Sequence, residues 1–237
     1  MCKVVKCFEL NSTAVIMKII FLCVLSFSIC AQAFSEKGIY QTCLNNPTIQ
    51  KERSDELKRL LEADQKEREE MSQANPGDLI NIAKNDLLRR KRVGEIFGEG
   101  CFKIPKDYLS AALIYQHGDV PDHYMQAFMW AKNALDLGEP NAKSLMAVAI
   151  DRYLVSVGKK QLYGTQVFVL FDSPTLCYCL QPVELSFPDY RRQTACGRSL
   201  NESFKWLASL NANTNCPNTY CDQDLTEVPE GSIIGFW

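Results

Sequence analysis

Histidine is scarce in this chain: His117 and His123 are the only two in 237 residues, so a centre built from several histidines is excluded. The basic excess of a nucleic-acid footprint is missing as well. The formal net charge is -2, and no nucleic-acid partner is expected. No G-x-S-x-G turn, glycine-rich phosphate loop or H-E-x-x-H string occurs. Nothing therefore supplies an obvious nucleophile, phosphate cradle or zinc-protease site, and neither a cofactor nor a metal is expected. The apolar stretch Ile19 to Cys30 is too short for a comfortable membrane span.

That stretch instead reads as an export signal. Lys18 precedes it, and Ala31-Gln32-Ala33 supplies the small-x-small cleavage pattern. Residues 1–33 are expected to be a signal peptide cut near Ala33, leaving no stable membrane span and a secreted or periplasmic protein. An uncleaved anchor with the same outside topology is the alternative. Met17-Lys18 forms a compact charged start, so Met17 is a possible true initiator. Eleven cysteines fit such an address; Cys43, Cys101, Cys177, Cys179, Cys196, Cys216 and Cys221 follow the signal. In an oxidising compartment they should pair, with one left over. Their connectivity stays open, although Cys177 and Cys179 are too far apart on one strand face to bridge each other. A zinc site from Cys177, Cys179, Cys216 and Cys221 matches no common module spacing.

Residues 34–53 read as a leader, 54–210 as a helical domain and 211–237 as a cysteine-containing tail. Ser54 or Asp55 caps a first helix to about Ser72, with a stripe of Leu57, Leu60, Leu61, Asp64, Arg68 and Met71. A second helix runs to about Phe97 along Leu79, Ile82, Ala83, Asp86, Arg90, Val93 and Phe97. In each, an Asp and an Arg four residues apart lie on the apolar line, where they can pair. Either these are two solvated ion pairs at the edge of a wide stripe, or, since charged residues on a buried face need partners, both pairs point into a shared polar pocket. A third helix is capped by Asp107 and closes at Gly118. A fourth runs from Pro121 to Gly138, and a fifth from Asn141 to Gly158. On the fifth, Arg152 borders the apolar face and can reach an interior pocket, while Asp151 points away toward a neighbouring loop. Val167 to Phe171 reads as a strand, and Ser199 to Leu210 as a last helix. The fold class is mainly α: a compact bundle of about five to six helices, a short strand and a disulfide-tied tail.

Two resemblances follow from these residues. Ala127-Phe-Met-Trp130-Ala-Lys132-Asn-Ala134, ended by Gly138, resembles one unit of the helical-hairpin repeats related to tetratricopeptides. More broadly, Asp64-Gln65-x-x-Arg68, Gln116-His117, Asp122, Asp151-Arg152 and Gln161-x-Tyr163-Gly164-Thr165-Gln166 resemble the bacterial family catalogued as domain of unknown function 6624. The likeness spans Leu57 to Leu210 and implies no activity. The cysteines, the signal and the tail depart from it.

The side chains expected to converge are Asp64, Arg68, Asp86, Arg90, Gln116, His117, Arg152, Gln161, Tyr163 and Gln166. Arg, Gln and Tyr in one pocket suit a polar or anionic ligand through charge-assisted hydrogen bonds. The expected binding set is Arg68, Gln116, His117, Arg152, Gln161, Tyr163 and Gln166, for a small polar ligand or an envelope protein. The alternative is a hydrolase using His117 with Asp64 or Asp86 as general base. The third reading is a structural or interaction module without a working pocket.

Overall fold

The computed structural model describes residues 42–70, 76–170, 177–212, 216–217, 219–233 and 235–237. The expected signal peptide, the start of the leader, Met71 and Phe171 lie outside them. Among the described residues the fold is mainly helical, with seven helices and one two-stranded sheet. The helices are α1 (Pro47–Glu70), α2 (Pro76–Gly98), α3 (Pro105–Gln116), α4 (Pro121–Asp136), α5 (Ala142–Ser156), α6 (Asp189–Cys196) and α7 (Leu200–Leu210). The strands are β1 (Val167–Leu170) and β2 (Cys177–Leu180).

Proline opens each of the first four helices. Its fixed φ suits a first helical position, and its missing N–H would have had no partner there. This puts the start of α1 at Pro47, inside the stretch read as leader, rather than at Ser54. It also puts Asp107 inside the first turn of α3. From there its carboxylate reaches back to accept from the N–H groups of Lys103 (3.0 Å) and Ile104 (3.1 Å), the reciprocal half of a capping box. At α7, Ser199 accepts from the Glu202 N–H while Glu202 accepts from that of Ser199. The short α6 is an addition to the sequence reading; eight residues are too few for a periodic signal.

The core is continuous from α1 to the last residue. Leu57, Val93, Ile96, Ile114, Ile150 and Leu154 are fully enclosed, with Leu162 and Phe187 from the segments that follow. Small side chains on α4 and α5 (Ala127, Ala131, Ala134, Ala142, Ala149) let these helices approach closely. At the chain end, the buried indole of Trp237 donates to the Val228 carbonyl (2.5 Å) and its ring stacks edge-on with Phe187.

β1 and β2 are antiparallel, with Val167 opposite Leu180 and Leu170 opposite Cys177. The tail adds to the outer edge of β2: Leu180 donates to Thr219 and accepts from Cys221. The Asn211 side chain imitates a further strand residue, accepting from the Tyr178 N–H (2.9 Å) and donating to its carbonyl (3.0 Å). Disulfides Cys177–Cys216 and Cys179–Cys221 fasten this arrangement, and Cys43–Cys101 ties the segment before α1 to the end of α2. The four cysteines weighed as zinc ligands are therefore paired to each other, and among the described residues Cys196 is the free thiol. Three disulfides fit an oxidising, extracellular-type environment. Among the described residues, no helix is long and apolar enough to cross a membrane.

Candidate functional site

Helices α1, α2, α3 and α5 each contribute polar side chains to one cluster. Its centre is Asp64, fully buried in the middle of α1. Asp64 accepts from Nδ1 of His117 at 2.9 Å and from Nε2 of Gln65 at 2.8 Å. The guanidinium groups of Arg68 and Arg89 stand 3.6 Å away. Burial pushes the Asp64 carboxyl up, but the His117 hydrogen bond and charge, with help from Gln65 and Arg68, outweigh it and hold the group below its ordinary range.

Asp86 is placed differently from the sequence expectation. It does not pair with Arg90 four residues on. It lies between Arg68 of α1 (2.5 Å) and Arg89 of its own helix (2.6 Å). Arg89 also reaches Glu67 at 2.6 Å, and Glu67 accepts from Asn85. Arg90 turns to the far end of the cluster, donating to the His117 carbonyl (3.1 Å) and pairing with Asp119 (3.2 Å). The buried line of α2 is thus Asp86, Arg89, Arg90, Val93 and Ile96, while Leu79 and Phe97 of the expected stripe are largely exposed. Arg89 is the residue that sequence reasoning missed. It sits one position off the stripe, and its partners come mostly from α1.

His117 caps the end of α3, its backbone N–H closing on Ile114. Its Nδ1 faces the Asp64 carboxylate, which orients the ring; in a neutral imidazole that donates Nδ1–H to Asp64, the lone pair is on Nε2. Among the described residues Nε2 has no hydrogen-bond partner, and the side chain is 23% exposed. His123 is not part of this cluster; it pairs with Asp119 (3.0 Å) and meets the edge of Tyr115.

Gln116 and Arg152 form the second half of the site. Arg152 Nη1 donates to the Gln116 carbonyl at 2.6 Å, and Nε donates to Oε1 of Gln166 at 3.2 Å. Its guanidinium lies 5.7 Å from the centre of the Tyr124 ring. Among the described residues no carboxylate lies within ion-pair distance of it. Burial pushes its pKa down; Tyr124 opposes this, and the neighbouring charge of Arg68 adds to it. Among the described residues, neither the oxygen nor the nitrogen of the buried Gln116 side-chain amide has a hydrogen-bond partner.

The loop from Gln161 to Gln166 is placed by Asp151, the residue read as pointing away from the core. It is fully buried, because the loop folds back across its face of α5. Its carboxylate accepts from the N–H groups of Leu162 (2.8 Å), Tyr163 (2.9 Å) and Thr165 (3.0 Å), and from the Thr165 hydroxyl (2.8 Å). Burial nevertheless pushes the group up to about 6, with those donors pulling the other way. Gly164 turns the loop at φ 72°, and a Cβ there would stand 3.2 Å from Oγ of Ser203. Both reasons favour glycine.

Within this loop the candidate residues separate. Gln166 faces Arg152. Gln161 is enclosed and spends its amide on backbone: it accepts from the Gln166 N–H (2.7 Å) and donates to the carbonyls of Gln166 (3.0 Å) and Gln181 (2.8 Å). Tyr163 is buried edge-on to Phe187, and burial raises its hydroxyl pKa strongly. Asp64, Arg68, Asp86, Gln116, His117, Arg152 and Gln166 are linked by the contacts above, whereas Gln161 and Tyr163 hold the loop and the core. Comparison with protein-family models, with curated proteins and with solved structures finds no match for the chain.

Proposed function

We propose that this is an exported protein whose cluster at Arg152, Gln116, His117 and Gln166 binds a small polar ligand bearing a carboxylate or phosphate. One observation carries the reading. Arg152 is a half-buried guanidinium with no carboxylate partner among the described residues, while Arg68, Arg89 and Arg90 nearby all have one. A partly desolvated cation that has only neutral acceptors is costly, and an incoming anion offsets that cost. The unpaired Gln116 amide adds a donor and an acceptor to the same place. The charged start and Ala-x-Ala pattern support export, as does the disulfide content. Arg152, Gln116, His117 and Gln166 are also among the residues of the resemblance to domain of unknown function 6624, and membership in that family is part of the proposal.

The test is thermal melting of the full chain with acetate, citrate and inorganic phosphate at constant ionic strength. A ligand that binds only the native state raises its midpoint. At least one anion should raise the midpoint of the wild type and not that of Arg152→Met. Equal responses from both proteins would refute the site.

A second reading, hydrolysis with His117 as general base, is favoured by the 2.9 Å contact of His117 Nδ1 with the buried Asp64. That contact leaves Nε2 free to take a proton, the arrangement in which a carboxylate orients a catalytic imidazole. Turnover of 4-nitrophenyl acetate that vanishes in His117→Gln would support it, and turnover equal in the two proteins would exclude it.

A further inference from the structure

A second concavity opens away from the polar cluster, between α4, the end of α5 and the C-terminal tail. Its volume is about 490 Å³, inside the ~300–1,000 Å³ range of small-molecule pockets. The walls are mainly apolar: Phe128 and Met129 from α4, Leu154 and Val157 from the end of α5, and Val228 and Ile233 from the tail. Phe128, Leu154 and Val228 are buried and form the floor, while Met129 and Val157 are 53% and 41% exposed at the lip.

Among the described residues, Lys159 is the only charged one in the lining. Among the described residues its ammonium has no ion pair and no hydrogen bond, although the adjacent Lys160 pairs with Glu227 at 3.4 Å. Tyr153 and Ser232 are the other polar side chains of the wall. The cleft therefore pairs a mainly apolar wall with one positive charge that has no ion-pair partner among the described residues. That is the complement of a molecule with a hydrocarbon body and a single anionic head.

We propose that this cleft binds a fatty acid, its alkyl chain lying on Phe128, Leu154 and Val228 and its carboxylate meeting Lys159. Apolar burial supplies most of the affinity in such a site, and the ammonium selects the charged head. The site shares no residue with the Arg152 cluster, so the two stand or fall separately.

The test is calorimetric titration of the full, disulfide-intact chain with decanoate below its micelle concentration, with decanol and acetate as comparators. Decanoate should bind saturably at one site per chain, about fivefold more tightly than decanol, the gain expected of a partly exposed ion pair. Acetate should not bind there. Lys159→Met should bring decanoate to the affinity of decanol and leave decanol unchanged. Met129→Asp, at an exposed lip position, should weaken both. No saturable decanoate binding would overturn the proposal, as would decanol binding as well as decanoate in the wild type. A decanoate preference that survives Lys159→Met would overturn it too.

Discussion

Asp151 offers a direct trial of the electrostatic reasoning, because two opposed effects act on one carboxyl. Four donors converge on it from the loop, and full burial opposes its charge. Burial prevails and the group rises from 3.8 to about 6. The folded chain then holds that proton more tightly than the unfolded chain. The associated stability is fully present below about pH 4 and is lost as the pH rises through about 6. At about 1.36 kcal/mol per pH unit, the whole change is about 3 kcal/mol, of which about 2 kcal/mol falls between pH 4 and pH 7. Asp151→Asn removes this titration. Urea unfolding of both proteins at several pH values, followed by far-ultraviolet circular dichroism, isolates it, since every other titrating group is common to the two and cancels. The stability of the wild type minus that of the variant should be about 2 kcal/mol larger at pH 4 than at pH 7. A flat difference, or one that widens as the pH rises, would show that the donors govern the carboxyl, and the argument from burial would fail.

Two further outcomes follow from the contacts. Asp86→Ala leaves Arg68 and Arg89 without their shared carboxylate and should cost about 3 kcal/mol in urea unfolding; a loss below about 1 kcal/mol would mean that Glu67 and Asp64 suffice for both. Replacing Cys179 and Cys221 together by serine leaves Cys177–Cys216 closing the same excursion, so only the closure of roughly nine residues through that bond is opened, which should cost about 2.5 kcal/mol by loop entropy, read as a lowered thermal midpoint. An unchanged midpoint would mean that hydrogen bonding of the tail to β2 and the remaining disulfide set the stability of this region.

Some of this molecule could be read directly from the chain. The periodic apolar faces of α3, α4 and α5, bounded by Pro105, Pro121, Gly118 and Gly138, mark their helices without reference to anything distant. Local geometry also placed Asp64 and Arg68 together, because residues four apart on a helix are neighbours. The abundance of cysteine pointed to an oxidising setting before any pairing was known. For the same reason the mainly helical class was legible, since each helix carries its own signal.

Tertiary structure decided the rest. Periodicity states which residues share a helix face, but not which neighbour that face meets. Asp86 therefore found Arg68 across the helix interface and Arg89 beside it, and Arg90 was left to the end of α3. Asp151 became buried because a loop ten residues and more downstream folded over it, something no window on α5 could register. β2 depends on partners on both sides, β1 and the tail at Thr219 to Cys221, and Cys177–Leu180 lacks the β-branched run that marks Val167–Leu170. The guanidinium of Arg152, held by neutral acceptors alone, belongs to this class as well. A sequence shows that an arginine is present, and only the packing shows that no carboxylate among the described residues comes near it.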